Sequence, residues 1–127
     1  MTMAFFRPAT LREASDVLLQ HPRSRIVSGG SDLVVKWKNG VVNDLDGLVD
    51  IGLLKLNQIE CREGVCRIGS GATMTQVASH PLVIERFPAL VQAALQVGAM
   101  QIRNLATLGG NIANASPAGD TIPALYS

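Results

Sequence analysis

The sequence predicts an α+β fold, and three observations carry that prediction. A strand, a glycine turn and a helix follow one another over "RIVSGGSDLVVKWKNG"; a hairpin pattern covers "NQIECREGVCRIGSGA"; and helical periodicity punctuated by prolines runs through "TMTQVASHPLVIERFPALVQAALQVG". Strand and helix signals alternate without internal repeat, low-complexity segment or linker. Residues 1–50 read as a small strand-helix lobe and residues 51–127 as the start of a second lobe with a larger mixed sheet.

Each element has a local reason. "FRPATLREASDVLLQHP" opens extended, turns at Pro8 and enters a helix at Thr10, whose hydroxyl with Glu13 three residues on makes a capping box. Leu11, Ala14, Val17 and Leu18 share one face of that helix, which should end near Pro22. The apolar "RIV" reads as a strand broken by Gly29 and Gly30. Ser31 and Asp32 are good N-caps for a helix through "LVVKWKNG", which Gly40 should end in a left-handed cap. "DGLVDIGLL" reads as the next strand, and the hairpin turns at Glu63 and Gly64. Two helices interrupted by Pro81 and Pro88 come next, with Leu90, Ala94, Leu95 and Val97 available for a core. Thr73 in "GSGAT" either caps the first of these or belongs to a motif with Gly71.

Composition narrows the function. The chain has 127 residues, 47% of them hydrophobic, and a formal charge of +1, enough for one real core. Charges of both signs are scattered, leaving no basic face for nucleic acid and no polybasic patch for a membrane surface. The uncharged run Phe87 to Ile102 is too short and too polar to span a bilayer. "MTMAFFRPAT" does not read as a secretory leader, so a cytoplasmic protein is expected. Cys61 and Cys66 would suit facing positions near a hairpin, and free half-buried thiols are the expectation in a reducing compartment. Zinc is not expected, since His21 and His80 are isolated and a structural site needs four ligands. No catalytic residue and no metal ligand is identified.

The two glycine pairs, in "SGGSDL" and "TLGGN", are the chemically suggestive features. Glycines let backbone approach a ligand, and successive N–H groups in such turns form a nest for anionic oxygens, phosphate above all. "SGGSDL" also precedes a helix start, where partial positive charge gathers. Neither pair has the spacing of the G-x-G-x-x-G dinucleotide fingerprint, and no Gly-Lys-Ser or Gly-Lys-Thr occurs for a P-loop. A bound nucleotide would therefore lie between two separate loops.

"QIRNLATLGGNIANASPAGDTIPAL", with "IVSGGSDL" and "RIGSGATMTQVASHP", resembles the FAD-binding subunit of molybdenum hydroxylases, the group that includes xanthine dehydrogenase and carbon monoxide dehydrogenase. The match runs over essentially the whole chain, with the motifs in matching order. The resemblance implies a two-lobed FAD-binding fold of the molybdopterin-dehydrogenase type, present here as a partial FAD-binding domain with an incomplete second lobe. It implies that Ser28, Gly29, Gly30, Ser31, Asp32 and Leu33 in one loop, and Thr107, Gly109, Gly110 and Asn111 in the other, wrap the FAD pyrophosphate. Asn114 would lie by the isoalloxazine ring, and Asp120 would accept from the flavin polyol chain or meet the ring edge. Electrons would reach the flavin from iron–sulfur clusters and pass to NAD⁺ or another acceptor. The [2Fe-2S] clusters and molybdopterin would sit on partner subunits.

Structural alternatives accompany these roles. Asp32 could serve only as an N-cap. Arg103 could brace the second loop together with Ile102, or be a surface ion-pair partner. Trp37 and the four methionines read as packing. Family members continue well past the equivalent of Ser127, so Ile122, Leu125 and Tyr126 are expected to lack cover. A truncated, non-catalytic relative that keeps the fold or a docking surface without flavin is the alternative reading.

Overall fold

The computed structural model describes residues 3–29, 33–114 and 121–125. The chain divides into two compact units, Met1–Lys55 and Leu56–Ser127.

In the first unit, β1 (Ala4–Phe6), β2 (Arg25–Val27) and β3 (Gly47–Asp50) form a parallel sheet in the order β1-β3-β2. The central strand carries "GLV" buried, Val49 completely, as expected for a strand flanked on both edges. Gly47 has a packing reason, since a Cβ there would meet the Phe6 ring at 2.8 Å. The expected longer strand stops at Asp50. Its carboxylate accepts from the Gly52 amide and from Arg7, and the chain turns into a short 3-10 segment, Gly52–Leu54.

Helix α1 (Leu11–Gln20) starts at the expected N-cap, Thr10, but the expected capping box forms only in part. Thr10 accepts from the Glu13 amide, while the Glu13 carboxylate reaches back to the amide of Ala9. Ala14 is buried and Val17 and Leu18 are half-buried, but Leu11 is 64% exposed, a correction to the expected apolar face. Position 11 is the first residue of the helix, and the inward stripe begins one turn later. Helix α2 (Leu33–Lys38) closes in a Schellman motif. Val41 donates to the Lys36 carbonyl and Gly40 to that of Trp37, with Gly40 at φ +72°, as a left-handed cap requires.

The second unit opens with β4 (Ile59–Arg62) and β5 (Val65–Ile68), an antiparallel hairpin with Glu63 and Gly64 both at positive φ in its two-residue turn. Such a turn makes Arg62 and Val65 a hydrogen-bonded pair and the next pair, Cys61 and Cys66, a close non-hydrogen-bonded one. The two sulfurs are joined in a disulfide, which corrects the expectation of free thiols. Ile59 and Ile68, on the same face, pack on the core. Among the described residues the unit has only this hairpin and the isolated bridge Thr73–Thr107, so the expected larger mixed sheet is absent from them.

Helices supply the remainder: α3 (Met74–Ser79), α4 (Pro81–Arg86), α5 (Pro88–Leu95), α6 (Met100–Arg103), α7 (Leu108–Asn114) and α8 (Thr121–Leu125). Thr73 and Gln76 form a reciprocal capping box on α3, and His80 Nδ1 accepts from the Leu82 amide at the start of α4. Pro81 and Pro88 occupy first positions, where the missing N–H costs nothing, so they begin helices instead of interrupting them. Ala72, Met74, Val77, Val83, Leu90, Ala94, Ala106 and Leu108 form the core. Leu90 and Ala94 meet expectation and Val97 packs beside them, but Leu95 is 52% exposed, one step round the helix from its neighbour Ala94.

Met74 is fully buried and Leu95 is not. Met74→Ala should therefore lower unfolding free energy by about 2–5 kcal/mol. Leu95→Ala should change it by no more than about 1 kcal/mol. Urea midpoints of the two variants decide; similar losses would show that the core boundary lies elsewhere.

Candidate functional site

The first glycine loop follows directly from β2. Ser28 and Gly29 form a half-buried bend, and Leu33, also half-buried, opens α2. Gly30, Ser31 and Asp32 lie outside the described residues.

The second loop is held by a backbone ladder. Met74 donates to Ala106, Leu108 to Ala72 (both 2.9 Å) and Gly109 to Ser70 at 2.8 Å. One side of this ladder is "GSGA", the other "ATLG". The glycines on the first side are there for clearance: a Cβ on Gly69 would run into the Leu56 carbonyl, and one on Gly71 would lie 3.1 Å from the same oxygen. Gly109 answers to the same constraint, because a Cβ there would sit 2.7 Å from the Ser70 carbonyl oxygen.

These bonds settle where the first amides of α7 go. Leu108 and Gly109 donate across the ladder, Gly110 donates to Thr107 Oγ1 at 3.0 Å, and Asn111 donates to the Thr107 carbonyl at 3.0 Å. All four are engaged within the chain, so this loop does not offer the nest of unpaired amides that its glycine pair suggests. What it presents is the exposed backbone of Gly110 and the side chain of half-buried Asn111. Asn111 Oδ1 accepts from the hydroxyl of Thr121, a completely buried residue that opens α8. With the oxygen fixed in this way, the Nδ2 group is the part of the amide left to donate. Thr107 itself is buried, its hydroxyl acting as an internal cap.

Asn114 is the last residue of α7, and Asp120 lies outside the described residues. Arg103 braces the approach to the loop. Its Nη1 donates to the carbonyls of Leu95 and Gly98, which ties the end of α5 to α6; no ion pair of Arg103 is seen among the described residues. Next to it, Asn104 Oδ1 accepts from Thr75 Oγ1 and links α6 to α3. The Ile-Arg-Asn element is thus structural in its two polar members.

Sequence reasoning missed Ser70 and Thr121. The Gly-Ser-Gly triplet between a strand and a capping threonine was a usable signal for the first, since two glycines around one residue suggest backbone in close contact. Thr121 had no signal, because its partner is set by tertiary packing. A shallow concavity of about 410 Å³ lies on the outer face of the hairpin, lined by Glu60, Arg62, Glu63, Val65 and Arg67. It shares no residue with either glycine loop. No group of three or more potential metal ligands occurs among the described residues.

The family model for the FAD binding domain in molybdopterin dehydrogenase matches residues 1–127. The chain is 41% identical over 128 residues to the nicotinate dehydrogenase FAD-subunit of Eubacterium barkeri, covering 95% of this chain and 42% of that protein. It is 36% identical over 121 residues to a xanthine dehydrogenase FAD-binding subunit of Escherichia coli O157:H7, covering 93% and 41%. Among solved structures, quinoline 2-oxidoreductase of Pseudomonas putida 86 superposes with a TM-score of 0.85 at 29% identity, over 91% of this chain and 41% of that one. Carbon monoxide dehydrogenase of Hydrogenophaga pseudoflava gives 0.86 at 28% identity, over 92% and 41%. The chain spans well under half the length of these relatives.

The ladder separates the two glycines of "TLGG". Gly109→Ala should cost about 1–3 kcal/mol, since its new methyl meets a backbone oxygen that cannot move alone. Among the described residues Gly110→Ala meets only Thr107 Oγ1, at 2.9 Å, and gains helix propensity. It should stay within about 1 kcal/mol of the parent. Denaturant titration of both variants checks this, and the reverse order would refute the packing role of Gly109.

Proposed function

Because the chain belongs to the family of FAD-binding domains of molybdopterin dehydrogenases, we propose that it holds FAD and serves as part of the flavin component of a molybdenum hydroxylase. When bound, the flavin would supply a two-electron acceptor and donor; NAD⁺ or another acceptor would take the electrons onward. Electrons would arrive from [2Fe-2S] clusters on one partner subunit, fed by substrate oxidation on a molybdopterin subunit. The names of the relatives, nicotinate and xanthine dehydrogenase FAD-subunits, support this class of complex. Among the described residues no helix is long and apolar enough to cross a membrane.

The observation that carries the reading is the state of Asn111. A side-chain amide whose oxygen is pinned by Thr121 and whose nitrogen remains a donor, beside an exposed glycine, fits the oxygens of a pyrophosphate or polyol. Ser28, on the bend after β2, would add a hydroxyl, with Gly29, Gly30, Ser31, Asp32 and Leu33 completing the first loop. Thr107 and Gly109 would shape the second loop from within. Gly110 would allow close approach, Asn114 would lie by the ring and Asp120 would accept from the polyol. Side-chain and glycine contacts, more than free amides, would thus do the binding at the second loop.

The intact protein should carry FAD, visible in its flavin absorption bands and recovered as FAD after denaturation. Asn111→Asp keeps the oxygen that accepts from Thr121 but places negative charge where Nδ2 stood. It should weaken FAD binding by about tenfold or more with little change in urea midpoint. Trp37→Phe should bind as the parent does. An intact protein that neither carries nor takes up FAD would overturn the proposal.

A further inference from the structure

We propose that Cys61 and Cys66 are a reversible dithiol–disulfide site, and that its state sets how firmly the two ladder loops are held. The pairing is built into the hairpin. A two-residue turn and four registered pairs, from Ile59–Ile68 to Arg62–Val65, place the cysteines opposite each other whether or not their sulfurs are bonded. Opening the bond therefore leaves the thiols facing, and closing it again needs no search through unfolded states. The bond encloses a ring of only a few residues, where restriction of the unfolded chain is least, so a purely stabilising role is weakly served. Both residues are half-buried at a solvent-reachable hairpin, within range of a small thiol.

The redox step balances with glutathione as the reductant class. One glutathione thiolate attacks a cysteine sulfur, the S–S bond breaks, and the displaced thiolate takes a proton. A second glutathione thiolate attacks the mixed disulfide, releasing the other cysteine thiol and glutathione disulfide. Two electrons pass to the protein and two thiols form; the reverse reaction restores the bond.

Strand β5 runs from Cys66 through Ile68 straight into the Gly69–Ala72 loop. The Gly69 amide donates to Gln58 and the Gly71 amide to Leu56, both at 2.7 Å, so this loop is an extension of the hairpin. Ser70 and Ala72 in turn accept from Gly109 and Leu108. A clamped hairpin fixes the Ser70 and Ala72 carbonyls, and an opened one lets them shift. This coupling to flavin affinity rests on the proposed role of the "TLGGN" loop; the redox site and the coupling between loops do not.

The test equilibrates the intact protein across ratios of reduced to oxidised glutathione. It then counts thiols by maleimide mass labelling, follows amide hydrogen exchange at Leu108 and Gly109, and measures FAD affinity. Labelling should move reversibly between none and two per chain. Exchange at both amides should rise, and FAD affinity fall, by about fivefold on reduction. The Cys61→Ser/Cys66→Ser protein should match the reduced parent at every ratio, and Cys61→Ser alone should take up one glutathione per chain. Thiols fully labelled under oxidised glutathione, or a bond that resists reduction in the folded state, would overturn the redox site. Equal exchange in both states would overturn the coupling. A shift in exchange without FAD uptake in either state would instead refute the flavin reading and leave this inference standing.

Discussion

The ladder between Ser70–Met74 and Ala106–Gly109 is the contact on which the second unit depends. Both strands of it are short, and neither forms a regular sheet beyond the single Thr73–Thr107 bridge. Yet it places the capping threonine of α3, the first turn of α7 and two core residues, Ala72 and Leu108, in one arrangement. Its cost is steric. Backbones can approach this closely only where a Cβ is missing, which explains Gly109 against the Ser70 carbonyl, while Gly69 and Gly71 make the same allowance for the Leu56 carbonyl behind the ladder.

Short helices then become possible. Helices of four to eight residues are marginal alone, and several in this unit are secured at an end by a side chain or a proline. Thr73 and Gln76 close α3, His80 and Pro81 open α4, Pro88 opens α5, and Arg103 gathers the carbonyls at the end of α5. The buried residues are correspondingly small, chiefly alanine, valine and leucine with one methionine, which suits close packing of short elements. The first unit reaches order differently, by burying one central strand between two edge strands that keep Phe5 and Ile26 exposed.

What the sequence disclosed were the features whose cause is local. The hairpin at Glu63 and Gly64, the caps at Thr10 and Thr73, and the left-handed stop at Gly40 each need only neighbouring residues, and each is present. Tertiary causes stayed hidden. Helical periodicity put Leu11 and Leu95 inward, but which part of a helix face meets a neighbour depends on where that neighbour lies. The prolines gave the position of a boundary without its meaning, since Pro81 and Pro88 start helices as readily as they stop them. Cysteine spacing implied facing positions, whereas bonding depended on the register of the pair. In the candidate site, the glycine pair at 109 and 110 was visible, but a glycine needed for a ligand and one needed for a carbonyl read alike in sequence.

That ambiguity has a consequence for recognition. A loop whose amides are unpaired in the free protein can wrap an anion, but it must be ordered by it, and ordering costs affinity. The second loop takes the opposite course, with its amides spent on Ser70, Ala72 and Thr107 before any ligand arrives. On the proposed role, its contacts with a ligand would come from a few groups, the Asn111 side chain among them, whose oxygen is held from behind by buried Thr121. Fewer contacts held in place can match more contacts that must be gathered, because less conformational freedom is lost on binding. Stiffness in the ladder would then be part of affinity, and a change that loosens Ser70 would act on ligand binding without touching the ligand.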